Sequence, residues 1–158
     1  MRRVLLSGAS GGLGLEIGKS LLDQGFYVVM ICNKNKQKLN GIMEQFPDRC
    51  SVLEIDFLTE IDYGSLHKSI GSVDSVIHCL GVSSAEISWK IENKQWNRVL
   101  ELNLNVPFKL SQLFISDMRK NKFGRIVFFS SIVAQKGIVG TSAYSASKSA
   151  LLGLTRTM

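Results

Sequence analysis

Arg3-Val4-Leu5-Leu6-Ser7-Gly8-Ala9-Ser10-Gly11-Gly12-Leu13-Gly14 decides how this chain folds. An apolar run of strand length meets a glycine cluster, and the residues from Gly12 onward carry the spacing of an amphipathic helix. A glycine-rich turn between strand and helix lets backbone N–H groups approach an anion, and the helix N-terminus stabilises the charge. The glycines are spaced Gly-x-x-x-Gly-x-Gly from Gly8 through Gly12 to Gly14. A purely structural loop can carry the same glycines, but both flanking elements here are those a dinucleotide pyrophosphate requires.

Outward from this turn, short apolar runs alternate with amphipathic stretches. Strands are expected at residues 3–7, 27–32, 52–55, 75–79 and 125–130. Each is rich in Val, Ile, Leu or Phe without clean alternation, the pattern of strands buried on both faces. Helices are expected at 12–24, 36–45, 61–70, 93–121 with a break near Pro107, and from 142 onward. The fold class that follows is α/β: a Rossmann-type doubly wound parallel sheet of about five strands with helices on both faces. At 158 residues the chain is expected to form one dinucleotide-binding domain over 1–158.

Composition narrows the classes. Hydrophobic residues at 45% and charged residues at 20%, with only two prolines, describe a globular chain. No apolar run has the length of a membrane span, and no signal-like core follows Met1, so no membrane partner and a cytoplasmic location are expected. Cys32, Cys50 and Cys79 have neither zinc-site nor Cys-x-x-Cys spacing, so reduced thiols and no metal are expected. The net charge of +6 raises the question of an acidic partner. The lysines are dispersed, with small clusters around 34–38 and 119–125 and no interleaved aromatic platform, so solvated faces and no nucleic acid are expected.

Near the other end, Ser131 stands thirteen residues before Tyr144 and Tyr144 four before Lys148, in Ser-Ala-Tyr-Ser-Ala-Ser-Lys. Residues four apart share a helix face, so the Lys148 ammonium is expected beside the Tyr144 hydroxyl, favouring its ionised form and an acid/base role. Tyr-x-x-x-Lys alone also arises by chance. In open parallel sheets ligands sit at the carboxyl ends of strands. The glycine turn follows the first expected strand, Asn33-Lys34 the second, Asp56-Phe57 the third, Gly81 the fourth and Ser131 the fifth, all on one edge.

The glycine spacing, Asn103 in Leu102-Asn103-Leu104, Ser131, and Tyr144 with Lys148 together resemble the classical short-chain dehydrogenase/reductase family in order and separation. Gly-Arg-Ile-Val at 124–127 and the segment from Ser147 to Arg156 look most like its bacterial beta-ketoacyl carrier-protein reductases. The resemblance implies that Ser131 hydrogen-bonds a substrate carbonyl and that Tyr144 donates the proton as hydride arrives from a nicotinamide. It implies that Lys148 tunes the phenol and holds the ribose hydroxyls, and that Asn103, by kinking its helix, holds a water linking Lys148 to solvent. Gly8, Ser10, Gly12, Leu13, Gly14, Asn33, Lys34, Asp56, Phe57 and Gly81, with Tyr144 and Lys148, are the implied cofactor-binding residues. The substrate implied is a 3-oxoacyl thioester or a similar small ketone, either a small molecule or linked to a carrier protein. A homo-oligomer is implied too, with Ser145, Ala146, Ser149 and Ala150 allowing close helix approach.

At the end of the second strand an NAD enzyme usually offers an acid to the ribose, whereas an NADP enzyme needs a cation for the 2′-phosphate. Asn33-Lys34 has no carboxylate, with Lys36 and Lys38 behind it, so NADPH is expected over NADH, although these lysines also read as a solvated run. Two departures stand out. The family's Asn-Asn-Ala-Gly reads His78-Cys79-Leu80-Gly81, where His78 is expected to be a structural histidine. Family members also continue well past residue 158, so the resemblance implies a domain incomplete at its C-terminus, lacking the last two strands and leaving residues 126–129 on a sheet edge. The alternative is a non-catalytic dinucleotide-binding module, or an inactive fragment of such a reductase.

Overall fold

The computed structural model describes residues 1–158. The strands are β1 (Arg3–Ser7), β2 (Tyr27–Cys32), β3 (Cys50–Glu54), β4 (Ser75–His78) and β5 (Arg125–Phe128). They form a five-stranded sheet in the order β3-β2-β1-β4-β5. β1 pairs in parallel with β2 and β4, and β2 with β3. The helices are α1 (Gly12–Asp23), α2 (Asn40–Gln45), α3 (Tyr63–Ile70), α4 (Asn93–Leu100), α5 (Val106–Lys120), α6 (Val133–Lys136) and α7 (Ser142–Thr157). Crossovers and parallel pairing give the expected α/β, Rossmann-type arrangement.

The chain divides into two compact units, one of residues 1–80 and 110–127, the other of 81–109 and 128–158. In the first, alternation along the strands sorts two cores. Leu6, Val28, Met30 and Cys32 pack with Leu22 of α1, Leu39, and Ile42 of α2. Opposite them, His78 of β4 meets Ser111 of α5 at 2.8 Å, and His67 of α3 meets Asp117 of α5 at 2.8 Å. Helices therefore cover both sheet faces in this unit. In the second unit α4, α6 and the turn around Asn103 pack on α7.

Four expectations are sharpened or corrected. The stretch 93–121 is interrupted near Pro107, and the interruption is a π-helical turn at Glu101–Asn105. Pro107 sits in the first turn of α5; having no N–H, it cannot return the i→i−4 bond to Asn103, and Val106 N–H reaches back five residues to the Glu101 carbonyl. The stretch 36–45 starts as a 3₁₀ turn (Lys36–Leu39) before α2. The third strand starts at Cys50 rather than 52. β5 is not buried: it is the last strand of the sheet and alternates exposed with half-buried residues, leaving Val127 39% exposed. The apolar run by itself does not reveal this, but the edge position expected for residues 126–129 is the one β5 takes, with β4 as its one neighbour.

Cys32 and Cys50 are buried thiols and Cys79 is half-buried. Burial pushes the Cys32 and Cys50 pKa values up. Phe123 lies inside the basic run at 119–125, but its ring carries Arg2 at 3.8 Å and Arg125 at 5.0 Å, so it is taken up by its own chain. No helix is long and apolar enough to cross a membrane, and no group of metal-ligating side chains forms.

His78, 3% exposed, is pushed down to about 3 by burial, so the fold stabilises its neutral form. Its contribution to stability is complete above the ordinary histidine value of 6.5 and declines as pH falls through the window from 6.5 to about 3. Between pH 7 and 5 the chain should therefore lose about 2 kcal/mol from this group, and His78→Asn should remove that dependence. Urea midpoints of both proteins at the two pH values check it; equal pH sensitivity in the variant contradicts it.

Candidate active site

In the first unit the turn after β1 uses its glycines for two purposes. Gly8 adopts φ 72°, in the left-handed region, and a Cβ there would stand 2.5 Å from the Leu80 nitrogen. A Cβ on Gly14 would stand 2.3 Å from the Gly8 carbonyl oxygen, so α1 packs onto the turn only without a side chain. Gly12 differs: a Cβ there would meet nothing within 4 Å. That open space lies at the first residue of α1, whose preceding residue, Gly11, contributes no side-chain cap and whose first turn holds no acidic residue. Unsatisfied N–H groups and the positive end of the helix dipole fit a pyrophosphate, so these residues suit a dinucleotide. Ser10 is half-buried in this turn and Leu13 is 52% exposed on α1.

The parallel register pairs Ser7 with both Ile31 and His78, and Cys32 with Glu54. The glycine turn, Asn33-Lys34 and the segment after β3 therefore leave the sheet along one edge. Asn33 and Lys34 are exposed there, as are Lys36 and Lys38. Asp56 closes a turn, its Oδ1 accepting the Leu58 N–H at 3.0 Å, and Phe57 is buried. The turn role of an aspartate after a strand thus applies here.

Asn103, Ser131, Tyr144, Lys148 and Gly81 all belong to the second unit. Tyr144 and Lys148 lie one turn apart on α7, with Lys148 Nζ 5.7 Å from the Tyr144 ring centroid. Lys148 is only 6% exposed, and its ammonium donates to the Phe129 carbonyl at 2.7 Å. A buried cation needs such an acceptor, and this one fixes the side chain's reach. The Lys148 carbonyl in turn accepts from Ser130 Oγ at 2.8 Å, so the segment just before Ser131 is bound to the helix twice. Ser131 is half-buried and stands two residues before α6: its carbonyl accepts the Ala134 N–H at 3.0 Å and its Oγ the Val133 N–H at 3.4 Å.

Asn103 is fully buried in the π-helical turn. Its Oδ1 accepts the Val82 N–H at 2.8 Å, while its Nδ2 donates to the Val82 carbonyl at 2.9 Å and to Ser147 Oγ at 3.0 Å. The side-chain amide thus mimics a neighbouring strand for Val82. A point at the Cβ position of Gly81 would lie 3.4 Å from Asn103 Oδ1 and 3.6 Å from Lys148 Nζ, which brings both residues beside this exposed glycine. Phe129, Ser130, Val82 and Ser147 were not singled out from the sequence. Three of them act through backbone groups or a common serine contact, which residue type does not disclose. Ser147 left a signal: a serine in a helix interior, where such residues are disfavoured unless they bond back to the helix.

The model of the short chain dehydrogenase family matches residues 2–158, and the chain belongs to that family. It is 29% identical over 154 residues to a 3-oxoacyl-acyl-carrier-protein reductase of Rickettsia bellii, covering 98% of this chain and 64% of the relative. It is also 29% identical, over 165 residues, to an acetoacetyl-CoA reductase of Cupriavidus necator, covering 98% and 65%. The solved structure of a 4-hydroxyisoleucine dehydrogenase complexed with NADH superimposes with a TM-score of 0.90 at 27% identity, covering all of this chain and 66% of that one. The chain therefore spans slightly under two thirds of the length of these relatives.

Proposed function

We propose that the chain carries the dinucleotide-binding and proton-transfer parts of an NADPH-dependent ketone reductase whose substrate is a 3-oxoacyl thioester. The observation that carries this reading is the buried Lys148 ammonium on the Tyr144 face of α7, held by the Phe129 carbonyl beside the Asn103 network. The bound dinucleotide supplies the hydride. The turn from Gly8 to Gly14, with Ser10 and Leu13, holds the pyrophosphate, and Asn33 and Lys34 receive the adenosine ribose and its 2′-phosphate. Asp56 and Phe57 flank the adenine, and Gly81 leaves room for the cofactor. Ser131 Oγ donates a hydrogen bond to the ketone oxygen, and the Tyr144 phenol gives that oxygen its proton. Lys148 holds the ribose hydroxyls and stabilises the negative charge left on the phenol. The Asn103 side chain is committed to Val82 and Ser147, so a proton-relaying water falls to its backbone carbonyl, whose i+4 donor Pro107 removes.

The names of the two reductase relatives, both acting on 3-oxoacyl-type thioesters, support the substrate class. An assay of NADPH consumption across 3-oxoacyl thioesters and simple ketones tests it. Faster turnover of the thioesters is expected; consumption with none of them contradicts it. For the cofactor, Lys34→Glu should lower the NADPH-over-NADH preference by at least about tenfold, since it replaces a phosphate partner with a repelling carboxylate. Dissociation constants for both nucleotides measure this, and tighter NADH than NADPH binding in the parent chain contradicts the preference.

A further inference from the structure

Ser147 is fully buried and lies between Tyr144 and Lys148 on α7. Its hydroxyl donates to the Tyr144 carbonyl at 2.7 Å and accepts from Asn103 Nδ2 at 3.0 Å. A hydroxyl has one proton to give, and here the helix takes it, so towards Asn103 the oxygen can only accept. The Val82 peptide sets the same requirement from the other side, offering its carbonyl to Nδ2 and its N–H to Oδ1. Rotating the Asn103 amide by half a turn would oppose oxygen to both the Ser147 and Val82 oxygens, and the Val82 N–H would face an NH₂ group. The orientation of the amide is thereby fixed by two independent partners, of which Ser147 is the one carried by the Tyr144 helix.

We infer that Ser147 is a positioning residue, acting through Asn103: it couples the Tyr144/Lys148 helix to the Gly81-Val82 segment and keeps Asn103 Oδ1 and Lys148 Nζ facing the same point beside Gly81. The functional consequence rests on the proposed reductase reading; the coupling itself does not. Ser147→Ala leaves one Nδ2 proton without its acceptor in a buried place, where the amide loses orientation rather than finding water.

The test is a double-mutant cycle of Ser147→Ala and Asn103→Ala, read by hydrogen exchange of the Val82 amide and by turnover. Ser147→Ala should lower Val82 protection about tenfold, while the amides of Leu5 and Leu6 in β1 keep theirs. It should lower kcat about tenfold with the NADPH dissociation constant unchanged, and add nothing to either readout once Asn103 is alanine. Unchanged Val82 protection in Ser147→Ala, or a full additional effect in the Asn103→Ala background, overturns the inference. Should all chains prove inactive, the exchange arm still decides the coupling, and the failure then belongs to the reductase reading alone.

Discussion

Replacing Tyr144 with phenylalanine should reduce kcat for ketone reduction by about a thousandfold, while the NADPH dissociation constant changes less than about threefold. The variant removes one oxygen from a half-buried ring and keeps the ring's packing, so the fold has no reason to change. Lys148 keeps its bond to the Phe129 carbonyl, and Asn103 keeps Val82 and Ser147, because none of these bonds runs through the phenol. What disappears is the group that, in the proposed reaction, gives the developing alkoxide its proton. An aligned general acid contributes about two to four orders of magnitude. The loss should therefore appear in kcat and kcat/KM equally, as expected for an interaction made in the transition state. Turnover of the variant within tenfold of the parent would assign the proton to another donor.

The glycine turn gives the second large effect, and it separates two glycines only two residues apart. Gly14→Ala would place a methyl group 2.3 Å from the backbone oxygen of Gly8, an overlap no rotamer can relieve. Either α1 shifts off the sheet or the turn opens, and a loss of about 3–5 kcal/mol follows, the range of severe core overpacking and backbone strain. For a chain of this size that lowers Tm by roughly 10 °C or more. Gly12→Ala meets nothing in the protein within 4 Å and adds a better helix former at the start of α1, so Tm should hold or rise slightly. Its methyl group fills the space a pyrophosphate would enter, so NADPH binding should weaken at least about tenfold. Thermal scans and cofactor titrations on both variants read the contrast. Undiminished binding by a well-folded Gly12→Ala protein would remove the anion-cradle role from this turn.

The sheet was legible because each strand sits between a turn signal and a helix period: the bounds of β1 and β2 coincide with those read from apolar runs alone. For β5 the apolar run alone read as a buried strand, whereas the family resemblance put residues 126–129 on a sheet edge, which is where β5 lies. Hydrophobicity reports what a segment is suited to cover, whereas exposure depends on which strand lies next to it, and β5 has β4 on one side only. The long helix through Asn103 showed its proline but not its π turn, since the extra residue is accommodated upstream, where Glu101 reaches Asn105 at 2.6 Å and Lys109 at 3.2 Å. Among the candidate site residues, spacing foretold that Tyr144 and Lys148 share a helix face. It did not foretell that Lys148 is anchored by a main-chain carbonyl, or that Asn103 spends its side chain on Val82. Those partners are backbone groups that every residue possesses, so no residue type announces them.

The central claim is that the same chain both binds NADPH and transfers a proton through Tyr144. The most direct test titrates NADPH into the purified protein and then adds a 3-oxoacyl thioester to the saturated sample, following the reduced nicotinamide by its absorbance. The account predicts saturable binding followed by consumption of NADPH in proportion to the thioester added. Saturable binding with no consumption across the thioester series would contradict it and leave a dinucleotide-binding module.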